Sequence, residues 1–317
     1  MSGLSALRLC AVSVDLDEIG CYSAIHGLPD LPGEAAHAVY RRALPRLLEL
    51  FERLAIPATL FACGRDMADA TAASCLRAAA SSGYEIGNHS QDHLYDLTHR
   101  PRAEMREQVL EGIRSIERAT GQTPIGFRAP GYTINDELFS VLGELGVGYD
   151  SSVFPCPLYY AGKTATIGHY RARGRRTHSV IDDPRVLSAP AEPYRTGQPY
   201  YRRGSGLLEF PIGVTRDWTG RLPYIGTYVA LAGPTAARAL THLIAGRSLV
   251  NLELHGIDAA DADSDGLQAL RIPQQPDLHR SASDKLASLE SALTTLRDAG
   301  YEFVTLRDAA RVFGAQN

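Results

Sequence analysis

Eight short apolar runs, rich in β-branched residues, recur along the 317-residue chain and restrict its fold more than any other feature. Amphipathic helical patterns lie between many of these runs, and strands that alternate with helices pair in parallel. The sequence therefore predicts an α/β fold, a distorted parallel (β/α)7–8 barrel. The runs read LRLCAVSV (7–14), PATLFA (57–62), YEIGN (84–88), IGFR (125–128), GYDSSV (148–153), LLEFPIG (207–213), LVNLELH (249–255) and YEFVTL (301–306).

Three of the segments between the strands have clear helical patterns. The segment 101–121 opens with Pro101 and closes with Gly121, the residue types expected at the two ends of a helix. The segment 40–54 has apolar residues at helical spacing, and the segment 283–300 again ends on a glycine. These patterns predict helices that cover the outside of the sheet.

The length is compatible with one barrel, so we expect a single domain over residues 1–317. One segment, about 154–206, interrupts the alternation of strand and helix patterns, because it is rich in Pro, Gly, Tyr and Arg and has no convincing helical pattern. Strand patterns resume after it. We therefore predict irregular loops over the active-site face here, rather than a linker.

The composition excludes some classes of function. A net charge of −4 without a dominant basic face argues against a nucleic-acid partner. No apolar run reaches transmembrane length, and the first residues lack the pattern of a signal peptide. The five cysteines are scattered and form no CxxC pair, as expected for free thiols in a reducing compartment. We expect a cytoplasmic protein, and the sequence does not indicate its oligomeric state.

Reactive polar residues follow several of the predicted strands directly. Asp15 and Asp17 end the first run, His89 and His93 follow the third, and His255 ends the run at 249–255. Because the carboxyl ends of parallel barrel strands converge on one face, residues this far apart in the chain can meet there.

Asp15 and Asp17 are two positions apart, so on a continuing strand both side chains face the same side. Two carboxylates this close repel each other and need a cation or a proton between them. A metal ion satisfies this need if one aspartate binds it and the other stays beside it as a base. The alternative is an aspartate pair in a solvated turn.

His89 and His93 are four positions apart and can both reach one ion if the loop between them turns helically. Imidazole suits zinc and similar divalent ions, and a catalytic zinc site takes about three protein ligands plus water. Asp17 completes such a set. Two ordinary buried histidines at the end of a strand remain the alternative reading of this pair.

Arg128 and His255 are further candidates. A guanidinium near the aspartates can orient Asp15 and keep it ionised, although a purely structural ion pair has the same pattern. His255 ends a strongly apolar strand, where it is either a core histidine or a general acid that works near neutral pH.

Together these motifs resemble the polysaccharide deacetylase family, with its NodB homology domain (carbohydrate esterase family 4). The resemblance runs from about residue 9 to residue 306 and is carried by GYEIGNHSQDH, GFRAPGY, LELH and the closing GYEFVTL. SVDLDE departs from the commonest first motif, in which two aspartates are adjacent. It resembles the DxD-type branch, which includes a bacterial peptidoglycan deacetylase-like protein and cyclic imide hydrolases.

The resemblance implies a role for each matching residue. Asp15 would be the general base, Asp17 the metal ligand alongside the two histidines, and Arg128 the residue that positions Asp15. A backbone N–H near Gly131 or Tyr132 would bind the oxyanion, although the order Pro-Gly-Tyr departs from the usual Pro-Tyr. His255 would be the general acid.

The family's fourth motif is poorly matched, so the group that tunes His255 is unassigned. Asp150 and Asp258 are the candidates.

The implied activity is that of a metal-dependent hydrolase, acting on non-peptide C–N bonds, that removes an N-acyl group from an amino sugar or a related small molecule. It implies one divalent ion, with zinc expected first and cobalt or nickel as alternatives. A deformylase or a cyclic imide hydrolase on the same scaffold is the alternative function, and a non-catalytic carbohydrate-binding protein is a third.

Overall fold

Each of the eight predicted strand runs overlaps a strand in the computed structural model, which describes residues 8–174 and 177–315, although the run 207–213 shares only residues 207–209 with its strand. Residue 7 of the first predicted strand, residues 175 and 176 of the predicted loop segment, and both ends of the predicted domain lie outside these ranges. One further strand, β6, was not predicted. The strands within the described residues are β1 (Leu9–Asp15), β2 (Ala58–Ala62), β3 (Glu85–Asn88), β4 (Gly126–Phe127), β5 (Tyr149–Asp150), β6 (Tyr194–Thr196), β7 (Arg203–Glu209), β8 (Leu249–His255) and β9 (Glu302–Val304).

Helices follow most strands, and the three predicted helical segments are helical. Pro101 precedes α4, and Gly121 follows it with a left-handed backbone (φ 76°), as the sequence indicated. The helices of the described residues are α1 (Ile19–His26), α2 (Leu44–Arg53), α3 (Ala70–Ser81), α4 (Arg102–Thr120), α5 (Asp136–Glu144), α6 (Pro157–Ala172), α7 (Gly226–Ala232), α8 (Pro234–Ile244), α9 (Ala282–Asp298) and α10 (Leu306–Gly314).

The expectation of irregular loops over 154–206 is wrong in part. Helix α6 occupies residues Pro157–Ala172, with Pro157 at its first position and the Cys156 thiol accepting a hydrogen bond from the backbone N–H of Tyr159. Only Ile167 and Tyr170 of this helix are fully buried. The helix therefore lacks the apolar stripe that reveals a helix in a sequence.

The sheet is a distorted parallel barrel, as predicted. Its strand order is β6-β7-β5-β4-β3-β2-β1-β8, β9 pairs with β1, and β6 is the antiparallel member, paired with β7. The chain that follows β7 closes the gap to β8. There the backbone N–H of Gly213 donates to the carbonyl oxygen of Asn251 (2.9 Å), and the Asn251 side chain donates to the carbonyl oxygen of Phe210 (2.9 Å).

Successive side chains of β1 and β8 point alternately to the outside and to the inside of the barrel, so each strand contributes to an outer core and to the barrel interior. Cys10, Val12 and Val14 point outwards into the largest apolar cluster, which the surrounding helices complete. Leu9 and Ala11 point inwards to the lower interior, where α10 packs. The next inward position towards the carboxyl end is Ser13, so the upper interior is polar.

Among the helices of the described residues, none combines the length and the apolar character needed to cross a bilayer.

Candidate metal centre and its surroundings

The carboxyl ends of neighbouring strands bring the predicted residues together. Asp15 is the last residue of β1 and lies beside His255, the last residue of β8, in the parallel register. His89 follows β3 and Arg128 follows β4. The backbone N–H of Arg128 donates to the carbonyl oxygen of Asn88 (3.0 Å), which places these two strand ends side by side.

Asp17, His89 and His93 form one compact, buried group. The two oxygens of Asp17 lie 3.1 Å from His89 Nε2 and 3.1 Å from His93 Nε2. One ligand atom from each residue can be chosen so that all three lie within 4.8 Å of one another. All three residues are at most 4% exposed.

The two histidines do not meet through a helical turn, which corrects the expectation from their spacing. Ser90 and His93 instead adopt left-handed backbones, with φ of 67° and 53°. The hydroxyl of Ser90 accepts a hydrogen bond from the backbone N–H of His93 (3.1 Å), and the carbonyl of Ser90 accepts one from Gly64 (2.9 Å). This tight loop folds His93 back towards His89.

The hydrogen-bonding pattern around Asp17, His89 and His93 leaves lone pairs that a cation can bind. His89 Nδ1 lies 2.7 Å from the carbonyl oxygen of Arg128, which can only accept, so Nδ1 carries the hydrogen. Its Nε2 then presents a lone pair to the Asp17 carboxylate. Asp17 Oδ1 and both ring nitrogens of His93 are buried without a hydrogen-bond partner among the described residues. Acceptors that face each other in this way require a proton or a metal ion, and one carboxylate with two imidazoles is a zinc-type donor set.

Arg128 fixes Asp15 as the sequence suggested. Its Nη1 donates to Asp15 Oδ1 (2.7 Å), its Nε donates to the carbonyl oxygen of Ser151 (2.8 Å), and its Nη2 donates to the hydroxyl of Ser13 (2.9 Å). Burial raises the pKa of Asp15, and the Arg128 guanidinium opposes this rise. The other oxygen of Asp15, Oδ2, lies 3.8 Å from His89 Nε2, so it faces the candidate metal centre.

The carboxylate in contact with the His255 ring is Glu253, which the sequence analysis missed. Its Oε1 lies 3.0 Å from His255 Nδ1, and Glu253 is fully buried. Burial alone lowers the pKa of His255, but the Glu253 carboxylate outweighs burial and holds that pKa well above its usual value. Glu253 lies two positions before His255 on one strand, so the alternation of β8 was the available signal.

The two residues proposed for this role occupy other places. Asp258 accepts a hydrogen bond from the backbone N–H of His255 (2.9 Å) and another from the Thr227 hydroxyl (3.0 Å), so it holds the main chain rather than the ring. Asp150 accepts from the hydroxyl of Ser152 (2.8 Å).

Asp15, Glu253 and His255 also approach one another closely enough to suggest a second metal group. The Arg128 guanidinium, however, already occupies one oxygen of Asp15 at 2.7 Å, and its charge would repel a further cation there. The stronger candidate for a metal site is therefore the group formed by Asp17 and the two histidines.

Tyr132 enters the site differently from the sequence expectation. Gly131 and Tyr132 both have left-handed backbones (φ 60° and 59°), and the backbone N–H of Tyr132 donates to the carbonyl oxygen of Ala129 (3.0 Å). That N–H is therefore engaged within its own turn rather than presented to an oxyanion. The Tyr132 hydroxyl lies 3.4 Å from His255 Nε2.

A cavity of about 1070 Å³ adjoins the centre on the side of His93. Its wall includes Arg65, Tyr95 and His99 from the loops after β2 and β3, and His178 from the segment after α6. The cavity is thus shaped in part by the segment that departs from the barrel pattern.

The fold and the Asp–His–His group together define a barrel protein with a candidate metal centre at the carboxyl ends of its strands. The family model for polysaccharide deacetylase matches residues 36–149. The chain is thus related to the polysaccharide deacetylases, which confirms the resemblance carried by the motifs. The assignment to the DxD-type branch stays a prediction.

Two curated relatives are also named as deacetylases or deacetylase-like proteins. A peptidoglycan deacetylase of Helicobacter pylori is 26% identical over 147 residues, which are 46% of this chain and 49% of that protein. A peptidoglycan deacetylase-like protein of Gibberella zeae is 32% identical over 183 residues, which are 56% of this chain and 52% of that protein. The chain thus spans about half the length of the curated relatives it matches.

A solved structure can be superposed on the whole length of this chain. A Mycobacterium smegmatis protein classed with the polysaccharide deacetylases superposes with a TM-score of 0.61 and 19% identity, covering 100% of this chain and 93% of that one. This likeness concerns the fold.

Proposed function

We propose that the protein is a metal-dependent hydrolase that removes an N-acyl group, acetyl in the first instance, from an amino-sugar substrate. The observation that carries this proposal is the buried Asp17–His89–His93 group with the free oxygen of Asp15 3.8 Å from His89 Nε2. The names of the matched relatives, two of them peptidoglycan deacetylases or deacetylase-like, support an amino sugar as the substrate class.

Asp17, His89 and His93 would hold one divalent ion, with zinc expected first and cobalt or nickel as alternatives. When bound, such an ion supplies an acidified water and polarises an acyl oxygen. The structural role of His89 is set by the Arg128 carbonyl, which fixes its tautomer so that Nε2 is available as a ligand.

Asp15 acts as the general base in this proposal. Its Oδ1 is occupied by the Arg128 guanidinium, which leaves Oδ2 as the oxygen that accepts a proton from the attacking water. His255, kept protonated by Glu253, donates a proton to the leaving amine, which would otherwise be a poor leaving group. The two groups start in opposite protonation states, so kcat/KM should follow a bell-shaped pH profile.

Release of free amine from N-acetylglucosamine oligomers by zinc-loaded protein tests the proposal, with N-formyl compounds and cyclic imides as parallel substrates. Asp15→Asn should keep the metal and lose at least about 100-fold in kcat, because it removes the base but none of the ligands. His93→Ala should lose both metal and activity. Activity of Asp15→Asn near that of the parent would overturn the assignment of the base, and turnover of the imides alone would overturn the substrate class.

A further inference from the structure

The turn formed by Gly131 and Tyr132 needs external support. Two consecutive residues have left-handed backbones, and for tyrosine this conformation is unfavourable because its Cβ approaches the following carbonyl oxygen. The hydrogen bond from the backbone N–H of Tyr132 to Ala129 closes the turn on one side. The carbonyl of Gly131 accepts a long hydrogen bond from the Thr133 hydroxyl within the turn (3.4 Å), and it is also the group on which a second, shorter contact from outside the turn acts.

That second contact comes from Lys163 on α6. Its Nζ donates to the carbonyl oxygen of Gly131 at 2.9 Å. The residue as a whole is partly exposed, yet burial of its ammonium lowers the pKa of Lys163 to about 8, and Asp182 opposes this shift. A shielded ammonium that donates to one backbone carbonyl is not an ordinary surface lysine, because its desolvation must be offset by that contact.

The turn in its present form places Tyr132 against His255. The two ring centroids are 6.1 Å apart, and the Tyr132 hydroxyl is 3.4 Å from His255 Nε2. Because Nδ1 of His255 faces Glu253, Nε2 is the nitrogen left to exchange a proton with a substrate. Helix α6 also supplies Tyr159, which packs edge-on against the Tyr132 ring at 5.7 Å.

We propose that Lys163 is a positioning residue, whose ammonium holds the left-handed Gly131–Tyr132 turn and thereby keeps the Tyr132 hydroxyl against His255 Nε2. This inference rests on the proposed hydrolase function and adds to it a residue from the segment outside the barrel pattern. Tyr132 then serves the site through its side chain, as the group that orients the general acid. In this proposal Lys163 acts through the turn and not directly on a substrate or a metal.

A double-mutant cycle tests the coupling, with kcat and KM measured for N-acetylglucosamine oligomers and zinc-loaded protein. Lys163→Met and Tyr132→Phe should each lower kcat about tenfold with little change in KM, because both displace the acid rather than a binding group. The double variant should be no slower than Tyr132→Phe, and Lys163→Arg should recover most of the loss. Thr166→Met, an exposed change on the same helix, is the matched control and should be silent. Losses that multiply to about 100-fold would contradict the proposal.

A second readout needs no substrate and therefore separates this inference from the proposed function. The ring nitrogen resonances of His255 in the metal-loaded protein should shift in the same direction in Lys163→Met and in Tyr132→Phe, and should stay in place in Thr166→Met. If they move while no amide is hydrolysed, the proposed function fails and the positioning role stands. If they stay unchanged in a Lys163→Met protein that retains its melting temperature, the positioning role is wrong.

Discussion

Buried charges around the centre are arranged in opposed pairs. Asp15 contacts the Arg128 guanidinium at 2.7 Å, and Glu253 contacts the His255 ring at 3.0 Å. In each pair the opposite charge counters the effect of burial, which by itself raises the pKa of the carboxylate. Asp17 lacks a partner of this kind and faces only two imidazoles, which is why the metal is expected there.

The pair of Glu253 and His255 leads to a prediction about pH. Glu253→Gln removes the charge that raises the pKa of His255, so the ring should lose its proton at a lower pH than in the parent. The alkaline limb of the kcat/KM profile should then move to lower pH, and activity at pH 8 should fall about tenfold or more. Glu302→Gln, an exposed change on β9, is the control. An alkaline limb that stays in place in Glu253→Gln would show that another group sets it.

At the scale of secondary-structure elements, the contact between α4 and the loop after β3 shapes the candidate metal centre. Gly112 of α4 packs so closely that a Cβ there would overlap the Asn88 side chain and lie 3.0 Å from the backbone carbon of Ser90. Ser90 is one of the left-handed residues that turn His93 towards His89. The loop that carries His89 and His93 can therefore keep its shape only because position 112 has no side chain.

Two helical glycines provide a matched comparison. Gly112→Ala should destabilise the protein by about 1–3 kcal/mol, because the added methyl displaces the loop. Gly143→Ala on α5, where the added methyl meets open space, should stabilise it by up to about 1 kcal/mol through helix propensity. Unfolding in urea measures both, and zinc affinity should fall in Gly112→Ala alone. Equal stabilisation by the two changes would contradict the close packing of α4.

Some secondary-structure elements carry a clear sequence pattern and others do not. Strands β1, β2 and β8 were predictable because their burial on both faces produces continuous apolar runs. Strand β7 begins with four exposed residues, so its apolar run indicated only its end. Helix α6 was not predicted, because most of its residues are exposed and few carry the apolar spacing. Strand β6 has three residues and pairs only at the edge of the sheet, which leaves little pattern to read.

At the candidate site, residue type at or just after strand ends, together with the family motifs, singled out six residues that the structure brings together, and their roles stay predictions. They are Asp15, Asp17, His89, His93, Arg128 and His255. Glu253 could also have been selected, because it lies two positions before His255 on β8 and side chains two positions apart on a strand face the same side. The engagement of the Tyr132 N–H could not be predicted, because it follows from a left-handed backbone that tyrosine rarely adopts. Lys163 gave no sequence signal, because its partner is a main-chain carbonyl more than thirty residues away.

For the whole molecule, the barrel interior explains how distant residues meet. Its lower part packs against α10 and is apolar apart from the buried Glu85, which accepts a hydrogen bond from the Tyr149 hydroxyl. Its upper part is filled by Arg128, Ser13, Asn251 and Glu253. Adjacent placement of β1 and β8 brings Asp15 beside His255, although 240 positions separate them in the chain. The polar upper interior ends at the candidate metal centre.

The position of a bound ion tests the account most directly. Anomalous diffraction from crystals soaked in zinc should give a single strong peak, about 2.0–2.2 Å from a carboxylate oxygen of Asp17 and from Nε2 of His89 and His93. The second acidic group, Asp15 with Glu253 and His255, should carry no peak. A peak on that second group, or none within reach of Asp17 and the two histidines, would contradict the proposed metal centre.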